Sequence, residues 1–311
     1  MIIFLLLLGL LLLIVGATGI VNSSLGVASK IRISPLIIGI TVVALGTSLP
    51  EITIAIFGGI DRATHLALGN IIGSNIANIG LILGFLILLG GIKIGRYKTQ
   101  KNSLINLFLS IIMFIVLVVN KLSLTVGAIF LTLGFAILWF QIRQGINGAL
   151  IEDKYLLNKI KSSGKNVFIL GFLFIVSLIA LAVGGKLTVD YGIALARLFE
   201  IPQTVIGITA IALGTSLPEL TVSIIGLIKN QEKLVVGNIL GSNIFNTLIG
   251  GGILGIYKVG GLENYLTLMS FLTFSVLLSI ILYFFKGKEI PRLIGFAFLL
   301  FYGLYLYFIL I

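Results

Sequence analysis

Glu51 and Glu219 are carboxylates set inside apolar stretches. The other eight acidic residues (Asp61, Glu152, Asp153, Asp190, Glu200, Glu232, Glu263 and Glu289) fall between such stretches or at their ends. A carboxylate at the centre of a membrane helix costs about 2.5–3.5 kcal/mol on insertion scales. No Lys or Arg shares either stretch to pair with it. Each Glu follows a proline in the hexapeptide Gly-Thr-Ser-Leu-Pro-Glu, residues 46–51 and 214–219. Proline has no N–H, so the carbonyls of Gly46 and Gly214 lose their helical partners. In lipid such carbonyls need a neighbouring helix, water or an ion to satisfy them. Thr47, Ser48 and Glu51 lie within about one helical turn, as do Thr215, Ser216 and Glu219, so each group can converge on one side.

A second motif, Gly-Asn-Ile-(Ile/Leu)-Gly-Ser-Asn-Ile-X-Asn, occupies 69–78 and 237–246. It sets Ser74 four residues before Asn78, and Ser242 four before Asn246, giving each helix one polar face. Gly69, Gly73, Gly237 and Gly241 read as small residues for close helix packing. Asn70, Asn75, Asn238 and Asn243 read as interhelical hydrogen bonders without an assigned role. Together the motifs offer carboxylates, hydroxyls, amides and freed carbonyls, an all-oxygen set suited to a hard cation such as Ca²⁺. Soft metals would want sulfur or imidazole, and the chain has no Cys and one His, His65. Two blander readings compete: protonated carboxyls acting as packing glue, and proline kinks for packing. The second accounts for the prolines but not for the Thr, Ser and Glu around them.

The elements that must carry these motifs are membrane helices. The chain has 311 residues, 59% hydrophobic and 10% charged, with a mean hydropathy of +1.23. Soluble domains run nearer 45–50% apolar and about 25% charged, so a water-soluble enzyme is excluded, as are disordered and disulfide-framework classes. The expectation is an all-α integral membrane protein with ten transmembrane helices, at 2–21, 35–59, 66–90, 103–119, 122–140, 167–185, 203–228, 234–256, 265–285 and 291–311. The first run has no basic residues before it and reads as a retained helix rather than a signal peptide. The net charge of +11 marks topology, not nucleic-acid binding. Alternate loops hold 16 and 5 of the 21 Lys and Arg residues. The richer set should be cytoplasmic, placing both termini outside and no basic residue at a helix centre. The polar stretch between spans five and six is then a cytoplasmic linker.

Residues 38–78 and 206–246 align without a gap at an offset of 168, with 25 identities in 41 positions. Five spans separate the copies, so they have opposite orientations. That is the inverted-repeat architecture of secondary transporters, with broken helices and the site near the midplane. The chain divides into a first five-helix repeat at 1–141, a linker at 142–166 and a second repeat at 167–311.

The paired motifs resemble the two α-repeats of the sodium/calcium exchanger family, within the cation/calcium antiporter superfamily. The resemblance implies a multi-pass cell-membrane antiporter, not an enzyme, exchanging Na⁺ for Ca²⁺ by alternating access without a cofactor. It implies Glu51 and Glu219 as central ligands, with Thr47, Ser48, Ser74, Thr215, Ser216 and Ser242 supplying hydroxyl or carbonyl oxygens. The carbonyls of Ala44 and Ala212 and the amides of Asn78 and Asn246 complete the implied set. It also implies that spans one and six slide against the remaining bundle. Some family members carry Asp at the position of Asn246, and both copies here have Asn. Two fixed negative charges remain, which one Ca²⁺ or two Na⁺ would neutralise. A H⁺/Ca²⁺ antiporter on the same scaffold and a passive cation channel are the alternatives.

Overall fold

The computed structural model describes residues 1–93, 98–119, 122–147, 166–199, 214–259 and 264–310. The described residues are helical apart from turns and one isolated antiparallel bridge between Lys93 and Glu289. We number the helices α1 (Ile2–Ile31), α2 (Pro35–Thr47), α3 (Leu49–Ile60), α4 (Thr64–Gly90), α5 (Lys98–Val118), α6 (Leu124–Asn147), α7 (Val167–Leu198), α8 (Leu217–Ile228), α9 (Glu232–Ile256), α10 (Tyr265–Phe284) and α11 (Arg292–Leu310). Among them, eight are long and apolar enough to cross a membrane, or nine if α2 and α3 form one bent span. The first half of the expected seventh span and most of the linker lie outside the described residues; α8 is the shorter apolar helix that follows.

Burial sorts the helices into a centre and a rim. The apolar stretches of α4 and α9 are 78% and 89% buried, against 17–22% for α1, α6, α7 and α11. The rim helices show large apolar side chains to the outside, Phe168, Leu293 and Phe172 among them. That is the pattern of a lipid-facing surface, since hydrocarbon is as good a solvent for Phe and Leu as a protein interior.

α1 and α7 form a pair on one side, joined through glycine. A Cβ at Gly16 would sit 2.7 Å from Leu181 N and 2.8 Å from Ser177 O; one at Gly184 would sit 2.6 Å from Leu13 N and 2.8 Å from Gly9 O. The two sets of contacts are the same set shifted by 168, so the pair obeys the spacing of the motif repeat.

These two helices correct the expected boundaries. They are 30 and 32 residues long, well beyond the runs at 2–21 and 167–185. The apolar run ends where lipid contact ends, whereas the helix continues as long as its backbone bonds are unbroken. Past the run, α1 buries Ser23 and Ser24 against protein, and Ser23 Oγ donates to Gly19 O at 2.6 Å. In α7 the extension takes up Lys186 and Asp190, expected in a loop and found inside a helix, where both remain exposed.

Local sequence explains the other elements that matter. Ser34 caps α2, its Oγ accepting from Ile37 N at 3.4 Å, with Pro35 at the first helical position, where its missing N–H costs nothing. α2 ends at Thr47 and α3 departs from it at 43°. The break falls at Ser48, in the bridge region of backbone space (φ −81°, ψ 5°). Pro50 sits in the first turn of α3, because its ring would clash with the carbonyl four residues back in a continuous helix. Ser216 has nearly the same conformation before α8 (φ −89°, ψ 1°). Equivalent helix bounds recur at the offset of 168: 49–60 with 217–228, and 64–77 with 232–245. Arg62 and Asn230, also equivalent, take positive φ in the turns between them.

A candidate cation site between the paired motifs

Glu51 and Glu219 stand in the first turns of α3 and α8, where the N-terminal end of the helix dipole favours negative charge. Both are fully buried. Neither α3 nor α8 contains a Lys or Arg.

The surrounding oxygens come from both motif copies, and the contacts cross between them. Ser48 Oγ donates to Glu219 Oε1 at 3.3 Å, and Ser242 Oγ reaches the same oxygen at 3.5 Å. Thr47 Oγ1 lies 3.4 Å from Ser242 Oγ, and Thr215 Oγ1 lies 3.2 Å from Ser74 Oγ. Thr47 Oγ1 is also 3.3 Å from Ala44 O. Ala44 itself is buried, and its carbonyl accepts from Ser48 N at 3.0 Å. Ala212, the equivalent residue, lies outside the described residues.

Asn78 and Asn246 each open a π-helical turn, Asn78–Leu83 and Asn246–Gly250. The wider i→i+5 register is a recurrent device at functional sites, and no compositional signal announces it. Asn78 Nδ2 donates to Asn243 Oδ1 at 2.9 Å. The backbones of Asn75 and Asn243 are bridged reciprocally, Asn75 Nδ2 to Asn243 O at 3.5 Å and Asn243 Nδ2 to Asn75 O at 3.3 Å.

The two halves are not satisfied equally. Both oxygens of Glu51, Ser216 Oγ and both polar atoms of Asn246 are buried without a hydrogen-bond partner among the described residues. So are Glu219 Oε2, Asn78 Oδ1 and Asn75 Oδ1. Ser48 has its bond to Glu219, yet the equivalent bond from Ser216 to Glu51 is not made. Asn78 has its bond to Asn243, yet Asn246 makes none to Asn75. Buried groups of this polarity are ordinarily paired, and a cluster of unpaired acceptor oxygens around two carboxylates is what a cation would complete.

A cavity of about 630 Å³ adjoins the site, with Thr47, Pro50, Asn70, Thr215 and Pro218 in its wall and Lys186 and Asp190 of α7 further along it. Gly237 and Gly241 touch the α2 backbone at Leu36 and Ile40, as close-packing positions should; the residues equivalent to these partners, which would face Gly69 and Gly73, lie outside the described residues.

The structure brings the expected carboxylates and hydroxyls together, and the four motif asparagines, expected as interhelical hydrogen bonders with no assigned role, are found as such. Asn70, Asn75, Asn238 and Asn243 all hydrogen-bond at the site. Their recurrence at equivalent positions, with full identity, was the signal available.

Comparison with known proteins places the chain among relatives. The sequence profile of the family described as "Sodium/calcium exchanger protein" matches residues 1–143 and 169–311. The uncharacterized membrane protein MJ0091 of Methanocaldococcus jannaschii is 37% identical over 298 residues, covering 95% of this chain and 94% of that protein. The sodium/calcium exchanger MaX1 of Methanosarcina acetivorans is 31% identical over 337 residues, covering 97% and 96%. A solved structure of the sodium-calcium exchanger NCX_Mj, soaked with Na⁺ and Ca²⁺, superposes with a TM-score of 0.82 at 33% identity, covering 97% of this chain and 96% of that one. A multi-pass helical chain with two buried carboxylates among crossed oxygens, matched by these relatives along nearly its whole length, belongs to the sodium/calcium exchanger family of membrane cation antiporters.

Proposed function

We propose that the chain exchanges Na⁺ for Ca²⁺ by alternating access, with both ions competing for the oxygens around Glu51 and Glu219. The observation that carries the reading is the pair of fully buried carboxylates ringed by unpartnered oxygens. Two fixed negative charges balance one Ca²⁺ or two Na⁺, so occupancy by either keeps the buried site neutral. The ligands are Glu51 and Glu219, with Thr47, Ser48, Ser74, Thr215, Ser216 and Ser242, the amides of Asn78 and Asn246, and the carbonyls of Ala44 and Ala212.

The scaffold is ten spans in two inverted five-helix repeats, with α2–α3 and the span ending in α8 as the broken pair and the site near the midplane. Supporting it are the 168-residue spacing shared by helix bounds, turns and glycine contacts, and the crossed hydrogen bonds between copies. The Lys and Arg imbalance puts both termini outside and the 142–166 linker in the cytoplasm. The 630 Å³ cavity then lies on the outer side of the site.

The test is ⁴⁵Ca²⁺ uptake into proteoliposomes loaded with Na⁺ and diluted into Na⁺-free buffer, beside a K⁺-loaded control. Uptake that requires internal Na⁺ is expected. Uptake indifferent to Na⁺ but driven by a pH gradient would assign proton coupling instead, and uptake needing neither would mark a leak.

A further inference from the structure

Each threonine of the site is tied to an asparagine of the opposite motif copy. Thr47 Oγ1 donates to Asn238 Oδ1 at 3.1 Å, and Thr215 Oγ1 donates to Asn70 Oδ1 at 3.1 Å. The two bonds are equivalents of one another at the offset of 168. Asn70 is 5% exposed and Asn238 fully buried; Asn238 is shut away from water, whereas Asn70 and Thr215 line the cavity beside the site.

A hydroxyl has one proton and two lone pairs. With its proton held by asparagine, the threonine oxygen can turn only lone pairs toward the site. Released, the hydroxyl can turn its proton toward an arriving cation, where the O–H dipole opposes binding; Thr47 then keeps only the longer bond to Ala44 O at 3.3 Å, and Thr215 the contact with Ser74 Oγ at 3.2 Å. The rest of each asparagine is not shared by the copies. Asn238 Nδ2 donates to Ser223 Oγ at 3.4 Å, whereas Ser223 is replaced by Ala55 in the first copy and Asn70 Nδ2 has no partner among the described residues. What both copies keep is the accepting oxygen.

We infer that Asn70 and Asn238 are positioning residues for cation binding, which accept the hydroxyl protons of Thr215 and Thr47 and so present those oxygens to the ion as acceptors. The inference rests on Thr47 and Thr215 being cation ligands.

A double-mutant cycle tests it, with Ca²⁺ half-saturation and maximal rate of flux measured in proteoliposomes for Asn70→Leu, Thr215→Val and the double variant. Asn70→Leu is expected to raise half-saturation about fivefold, the worth of one net hydrogen bond, with the maximal rate preserved. The double variant is expected to be no worse than Thr215→Val alone, because Asn70 acts through Thr215. Native half-saturation in Asn70→Leu, or losses that multiply in the double variant, would overturn the positioning role while leaving the site intact. No effect of Thr215→Val would overturn the ligand reading beneath it. Should Asn70→Leu fail to fold, the Asn238→Leu and Thr47→Val cycle decides by the same criteria.

Discussion

Replacing Gly184 by alanine puts a methyl carbon 2.6 Å from Leu13 N and 2.8 Å from Gly9 O, and Gly16→Ala puts one 2.7 Å from Leu181 N and 2.8 Å from Ser177 O. Ordinary contact begins at 3.4 Å, so each substitution is short of room by about 0.6–0.8 Å. The atoms met are backbone, which no rotamer change can move aside. The helices must therefore separate, and they bury little else, 22% and 17% of their apolar stretches. Overpacking of this kind costs about 1–3 kcal/mol. Alanine also returns roughly 1 kcal/mol of helix propensity, which would mask part of the clash. Gly171, on the same helix, removes the ambiguity, since nothing described lies within 4 Å of its Cβ. Gly171→Ala keeps the propensity gain without the clash, and the difference between the two variants isolates the packing term. At about 2–4 °C per kcal/mol for a large domain, thermal unfolding in detergent should put Gly184→Ala below Gly171→Ala by roughly 2–12 °C. The double variant Gly16→Ala/Gly184→Ala should lose less than the sum, because one separation relieves both contacts. Gly184→Ala as stable as Gly171→Ala would refute the close backbone approach.

Two further outcomes follow from the site. Ca²⁺ at a hundred times its dissociation constant should stabilise the protein by about 2.7 kcal/mol, read as a thermal shift; Glu51→Gln and Glu219→Gln should each remove the shift and nearly abolish Ca²⁺ flux while leaving the apo protein folded. Asn246→Asp, which places a third carboxylate where both polar atoms are unpartnered, should raise the cooperativity of Na⁺ dependence from about two ions toward three as charge balance requires; an unchanged Hill coefficient would count against counting sodium ions by fixed charge.

The break and the carboxylates were legible because they are local. Thr47, Ser48, Pro50 and Glu51 lie within a few residues, and the chemistry of proline and of a buried carboxylate follows from identity alone. The lengths of α1 and α7 were not, because hydropathy records where lipid stops touching the helix; Asn22, Ser23 and Ser24 are polar yet lie inside an unbroken helix. The π turns at Asn78 and Asn246 depend on a one-residue slip in backbone register that no side chain advertises. The hydrogen-bond partners of Asn70 and Asn238 were hidden for a different reason. Their partners stand 145 and 191 residues away, and only the association of the copies brings them together.

The unequal satisfaction of the two motif copies reaches past a single conformation. Two related strings of residues, 25 of 41 positions identical, occupy one molecule and have settled into different bonding states, as two dancers hold opposite steps of one figure. On the alternating-access reading, adding or subtracting 168 from each partner converts the present bonding pattern into that of the opposite-facing form: Ser216 to Glu51, Asn246 to Asn75, with Ser48 and Asn78 released. The chain is thus its own template, and one set of coordinates supplies a residue-level map of both ends of the stroke.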